Sequence, residues 1–281
     1  MKFPTTAPAA GLLPALAILL ALAMTAQSAR AQDNPYISPT VERVRVSLGV
    51  MQMSSTTKLR IDSTTGVVGT DIDAEKDLAL DKNKIGPKFQ ASIRVSERHR
   101  LRFDYFTLDR ESFKNIEKPI SFRNENLIVG DPVQSQLSLR TLGITYGYSF
   151  IHREKFELAG TFGVNLLDFS ARARVQQPNR RIDQREDQAG PFPTLGLETT
   201  WVISKRFYVD ARIQYLKLKI SELDGSLGFY EFAALYRWRP NVSMGLGYSM
   251  VRVKLSSTKT TESGYFDFNT KGPELFVRIA F

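Results

Sequence analysis

Two histidines and no cysteine are a thin supply of catalytic groups for 281 residues. His99 follows Arg98 and His152 precedes Arg153, and both fall in short, basic, exposed turns. With no thiol and no well-placed imidazole, the usual activated nucleophiles are missing. Asp71, Asp73, Asp77 and Asp81 lie in a polar stretch from about Ser54 to Lys84. They lack the ligand spacing, the central glycine and the terminal glutamate of an EF-hand, so a solvated acidic loop is expected and no metal or cofactor. The sharpest patch is Arg172, Arg174, Arg180, Arg181 and Arg185. Arginine recognises phosphate through a planar, bidentate fork. Asp183, Glu186 and Asp187 are interleaved with them, so a solvated mixed-charge loop stands beside phosphate binding as an open reading.

The elements that must position these groups show period-two alternation. In the last ten residues, Phe281, Ile279, Val277 and Leu275 share one face, and Ala280, Arg278, Phe276 and Glu274 the other. An apolar face opposite one that mixes charges with small residues suits a wall between lipid and a polar interior. The same alternation recurs at Val44–Val50, Phe89–Ser96, Leu101–Thr107, Thr141–Phe150, Phe156–Leu166, Leu195–Ile203, Phe207–Tyr215, Glu231–Trp238 and Val242–Met250. Tight turns at Glu97-Arg98-His99, His152-Arg153-Glu154, Ser204-Lys205-Arg206 and Arg239-Pro240-Asn241 alternate with mostly longer connections. Those are Ser54–Lys84, Arg110–Gln134, Arg172–Gly190, a brief Leu223-Asp224-Gly225 and Ser256–Lys271. A soluble sandwich has no reason to segregate its loop lengths this way. The pattern predicts an all-β chain: a transmembrane, antiparallel, up-and-down β-barrel of ten strands, with eight as the alternative and both termini periplasmic. At Leu137/Leu139, Leu216/Leu218 and Val251/Val253 the apolar phase shifts, as a β-bulge or a strand continuing above the membrane would produce.

The strand phases place Arg45, Arg94, Arg102, Arg212, Arg237 and Arg278 on the inner face with Asp104, Glu157, Glu198, Asp210, Glu231 and Glu274. Charges removed from bulk water must be paired and hydrogen-bonded. Side chains fill a barrel of about eight strands, whereas water-filled porins need about sixteen. A structural salt-bridge network is therefore expected ahead of a selectivity filter. Tyr148, Trp201, Trp238 and Tyr248, near strand ends, are expected as interface anchors.

The address comes from the N-terminus. Lys2 precedes an apolar run from about Ala9 to Ala26, and Ala29-Arg30-Ala31 offers small residues for a signal peptidase. The core is short for a membrane span and is broken by Pro14. Residues 1–31 are thus expected to be a cleaved signal peptide, 32–40 a periplasmic lead-in and 41–281 the barrel. The formal charge of +9 becomes +7 without Lys2 and Arg30. Such a surplus in a secreted chain points to anionic lipid and lipopolysaccharide rather than to nucleic acid.

With its terminal Phe281 and alternating loop lengths, the chain resembles the small monomeric outer-membrane β-barrels of Gram-negative bacteria. The resemblance implies that barrel-assembly machinery reads Phe281 as a signal. In strand number the chain also resembles the omptins, which use acidic residues and a histidine near the outer rim. Lipid A deacylases and outer-membrane phospholipases use a serine with a histidine. His99 and His152 fall at the opposite, periplasmic end, so no enzyme is expected. The expected function is a structural or interaction scaffold that displays outer loops and contacts lipopolysaccharide, an adhesin among its forms. The alternative is a narrow passive channel for small solutes or hydrophobic compounds.

Overall fold

The computed structural model of the protein describes residues 36–281, apart from residues 64, 66, 123–124, 178–179, 221 and 259–262. The expected signal peptide lies outside the described residues, and the unit considered below runs from Ile37 to Phe281. In chain order its elements are β1 (Val44–Ile61), β2 (Ile72–Asp73), one helical turn α1 (Ala74–Asp77), β3 (Asn83–Arg94), β4 (His99–Asn115), β5 (Ile120–Phe122) and β6 (Glu125–Leu127). There follow β7 (Pro132–Arg153), β8 (Phe156–Gln177), β9 (Arg180–Val202), β10 (Phe207–Ile220), β11 (Leu223–Arg239), β12 (Val242–Ser257) and β13 (Gly264–Ala280).

Ten of these strands, β1, β3, β4 and β7 to β13, pair antiparallel with their neighbours in sequence. β13 then pairs back onto β1, from Arg45↔Ala280 to Ile61↔Gly264. The sheet is therefore a closed barrel of ten strands, and the eight-strand alternative falls. Closure leaves no open sheet edge, which a spanning sheet requires because lipid cannot satisfy free backbone groups. Tight turns join strands at one end, where both barrel termini also lie. Long hairpins rise at the other.

Several strands run far beyond the alternating segments. The stretch Arg172–Gly190, expected as a loop, belongs to β8 and β9, which pair from Phe156↔Trp201 to Gln177↔Arg180. Likewise Leu223-Asp224-Gly225 lies within β11, opposite Ile220, Lys219 and Leu218 of β10. The phase shifts explain why these extensions look like loops. No register break occurs at Leu137/Leu139 or Val251/Val253, so the strands continue straight and only their polarity inverts.

On β7 the outward residues from Leu142 to Phe150 are apolar and exposed, while Gln134, Gln136, Ser138 and Arg140 above them are polar. Inward, Thr141, Gly143, Thr145 and Gly147 give way above to Leu139, Leu137 and Val133, all buried. The apolar outer span from Leu142 to Phe150 rises about 20 Å at a tilt of about 40°, close to the ~25 Å band of a membrane barrel. All 22 residues of β7 would extend about 70 Å. More than half of the strand therefore stands clear of the band, where a solvated barrel must bury its apolar residues inside.

That upper interior holds one apolar core, with Met51, Met53, Phe106, Leu108, Leu139, Leu167, Phe169, Val253, Phe266 and Phe268. The segment expected as a solvated acidic loop folds into it. Ile72, Ala74 and Leu80 join the core, and Glu75 on α1 meets the fully buried Arg110 at 2.5 Å. Asp73 caps α1 by accepting from the Lys76 amide, and Asp77 pairs with Lys118 at 2.9 Å. Pairing between β3 and β4 stops at Lys88↔Phe106. The α1 segment covers the gap above: Ser112 Oγ donates to the Leu78 carbonyl and Lys114 Nζ to that of Lys76.

Candidate functional site

The lower interior is the polar part of the barrel, and its alternating strands aim charge at charge. At the tight-turn mouth, Glu42 receives Arg45 Nε at 3.0 Å and Arg237 Nη2 at 2.9 Å. Ser38 and Thr40 hydroxyls donate to the Glu154 carbonyl at 2.5 and 3.0 Å, so residues 37–40 are packed into the mouth. One layer up, Glu157 accepts from Arg94, at 2.8 and 2.9 Å, from Arg100 at 2.6 Å and from Ser149 at 2.5 Å. Arg278 pairs with Asp210, which also accepts from Thr200 Oγ1 at 2.8 Å.

Above these a chain of alternating charges crosses the lumen. Glu198 pairs with Arg102, whose Nε lies 2.9 Å from Asp104. Asp104 takes Arg212 Nη1 at 3.0 Å, and Arg212 Nη2 reaches Glu231 at 2.8 Å. Lys88 Nζ then joins Glu231 to Glu274, 2.6 Å from each. The links run from β9 to β4, β10, β11, β3 and β13, so no single pair of neighbouring strands holds the chain. The void beside it is about 60 Å³, room for a few waters.

All twelve inner-face charges read from the strand phases thus face the interior and make ion pairs. Lys88, Arg100 and Glu42 complete the set and were missing from that reading. Lys88 has the phase of Gln90, so extending the second alternating segment by one residue finds it. Arg100 has the phase of Arg102 but adjoins a turn. Glu42 precedes β1 and has no period to reveal it.

The five expected phosphate-binding arginines are not one free cluster. Arg172 forks onto Asp183, with contacts of 2.7 and 2.5 Å, and Arg174 reaches the same carboxylate at 3.2 Å. Hydrogen bonds from Arg172 hold the Asp183 carboxyl at about 2, so the pair stays ionised at any milder acidity. Arg185 Nε is 2.9 Å from Asp187. The side chains of Arg180 and Arg181 lie outside the described residues. On β8 the apolar outer face ends at Leu166, and Arg172 is about 15 Å higher at the same rise and tilt. A headgroup layer is only about 5–8 Å thick. Arg172 and Arg174 therefore stand above the level of a headgroup layer and, like Arg185, are paired with carboxylates of their own hairpin.

Both histidines are at the tight-turn end. His99 Nδ1 lies 2.5 Å from the Tyr146 hydroxyl, and His152 Nδ1 is 3.6 Å from Glu157. Trp201, Trp238, Tyr148 and Tyr248 all stand exposed on the outer face. Among the described residues no group of acidic, histidine or cysteine side chains could hold a metal ion.

No family model and no curated protein matches the sequence. Among solved structures, the outer-membrane protease OmpT of Escherichia coli superposes with a TM-score of 0.52 at 12% identity, over 85% of this chain and 97% of its own. The attachment invasion locus protein Ail of Yersinia pestis gives a TM-score of 0.34 at 10% identity, covering 83% and 99%. Neisserial surface protein A gives 0.29 at 15%, covering 85% and 97%. The last two scores carry no argument, and at 12% identity the first concerns fold alone. Taken with the ten-strand closure and the exposed apolar band, it shows that this chain has the fold of the bacterial outer-membrane β-barrels.

Proposed function

We propose that the protein is an integral outer-membrane barrel that acts as a sealed scaffold, holding its hairpin end outside the cell and its tight turns and barrel termini in the periplasm. The observation that carries this reading is the cross-lumen charge chain from Glu198 to Glu274, roofed by the apolar core and floored by the lead-in. Each layer closes the axial path by different physics. Passage of an ion would require the charge pairs to part and then a dry apolar plug to be crossed, and both steps are costly. The strand extensions beyond the band give the scaffold a rigid, solvated platform. The two histidines lie at the tight-turn end, His99 held on the outer face by Tyr146, and this supports a non-catalytic role. The test is single-channel recording of the refolded barrel in a planar bilayer. No current steps are expected from inserted protein. Stable, salt-dependent steps would overturn the sealed reading in favour of a narrow channel.

A second reading, contact with lipopolysaccharide phosphates, is favoured at a different place from the arginine hairpin. Just above the apolar band, Arg252 on β12 and Lys271 on β13 project outward on adjacent strands, with no ion pair among the described residues. A cation near an anionic lipid surface contributes about 1 kcal/mol. Replacing both Arg252 and Lys271 by glutamine is expected to weaken lipopolysaccharide binding about tenfold or more. Replacing Arg172 and Arg174 should leave it within about twofold. The reverse ranking would return the contact to the hairpin.

A further inference from the structure

One seam of the upper barrel is left open. The β9–β10 ladder stops at Leu195↔Tyr215, although β9 continues paired to β8 and β10 continues paired to β11 as far as Ile220. In the same register Pro193 would face Lys217, and Pro191 would face Lys219. Proline has no amide hydrogen to give a ladder, so Pro191-Phe192-Pro193 ends the pairing here. The β3–β4 gap is covered by the α1 segment, but no described loop covers this one.

Behind the seam lies a void of about 240 Å³, four times that beside the charge chain. Its wall is mainly apolar: Leu139, Leu167 and Phe169 from one side, Val253, Leu255 and Phe266 from the other. It also reaches Ala189 and Pro191, which are exposed on the outer face of β9, so the chamber meets the outside at the seam. A mainly apolar cavity of this size accepts apolar guests. The approach is apolar too. On β9 the outward residues Leu197, Leu195, Pro193 and Pro191 lie beside Gly160 to Leu166 of the apolar face of β8, and Ala189 extends the greasy surface one step further, opposite Asp168 where β8 turns polar. The void is below the ~300–1,000 Å³ of a site for a whole drug-sized molecule, which suits one flexible chain.

We propose that the β9–β10 seam is a side portal through which one acyl chain of a neighbouring membrane lipid enters the upper chamber. The lipid headgroup stays outside, where Lys219 projects beside the seam with no ion pair among the described residues. The charge chain below blocks onward passage, so the chamber binds the chain rather than conducting it. Phe192 closes the inner lip, since a Cβ placed on Gly225 of β11 would lie 3.4 Å from its ring.

The proposal rests on insertion of the barrel in a membrane, and the test separates the two. In vesicles of phospholipid brominated on its acyl chains, native Trp201 and Trp238 on the outer face report insertion by quenching. A variant with both tryptophans changed to Phe and Phe266→Trp carries its reporter on the far wall of the chamber. Its emission is expected to be mostly lost in brominated vesicles, and Gly225→Phe, which fills the lip, should restore most of it. Quenched outer tryptophans with an unquenched chamber reporter would overturn the portal. So would quenching that Gly225→Phe leaves unchanged. If Phe266→Trp does not fold, Phe169→Trp carries the reporter on the adjoining wall.

Discussion

Replacing Arg212 with methionine is expected to destabilise the barrel by about 3–5 kcal/mol. Among the described residues Arg212 links Asp104 to Glu231, with contacts of 3.0 and 2.8 Å. Removing it leaves the acids Glu198, Asp104, Glu231 and Glu274 with only Arg102 and Lys88 between them. A carboxylate left short of partners in a confined lumen suffers both desolvation and the repulsion of its neighbours. Lysine at the same place keeps the charge but loses the fork that bridges two acids, so Arg212→Lys should lie between wild type and methionine. Urea titration of the refolded protein in lipid vesicles measures all three. A loss below about 1 kcal/mol for methionine would place the pair in the range of a dispensable surface bridge and remove the network from the account of stability.

Arginine at Ile144 is expected to cost about 2–4 kcal/mol, while arginine at Gln134 on the same strand stays within about 0.5. Both side chains point outward and are exposed on β7, at 48% for Ile144. A water-soluble barrel would tolerate a charge at either position. Only hydrocarbon around Ile144 and water around Gln134 separates them. The same vesicle titration reads the difference, and equal costs would mean that the apolar band between Leu142 and Phe150 does not face lipid. A scan of arginine along β7 should locate the boundary near Arg140, which already carries the charge.

The two results concern opposite faces of one wall, and they explain why some of the architecture was legible and some was not. Within the band, lipid outside and paired charges inside impose a polarity contrast at every second residue. Segments such as Phe156–Leu166 and Val242–Met250 announce themselves for that reason. Above the band the contrast reverses in sense, with Leu167, Phe169 and Ala171 inside and Asp168, Ser170 and Arg172 outside. Read with the lower phase, the reversal looks like a loop or a bulge. Ala171 and Ala173 deepen the disguise, because alanine has little strand preference.

By itself, the sequence pointed to an antiparallel barrel of ten strands with eight as the alternative, to the tight turns at one end and to the inward phase of its charges. All of these are encoded locally, by a period of two and by turn residues. Only the tertiary structure decided who meets whom. The chain from Glu198 through Arg212 to Glu274 has local links in Arg102–Asp104 and Arg212–Glu231, but its contacts from Glu198 to Arg102, Asp104 to Arg212 and Lys88 to Glu231 and Glu274 cross between strands that are not neighbours, and these depend on barrel diameter and stagger. The inward folding of α1 onto Arg110, the neutralising of Arg172 by Asp183 and the seam behind Pro191 and Pro193 are long-range packing outcomes. They arise because closing the sheet brings distant residues within reach of one another.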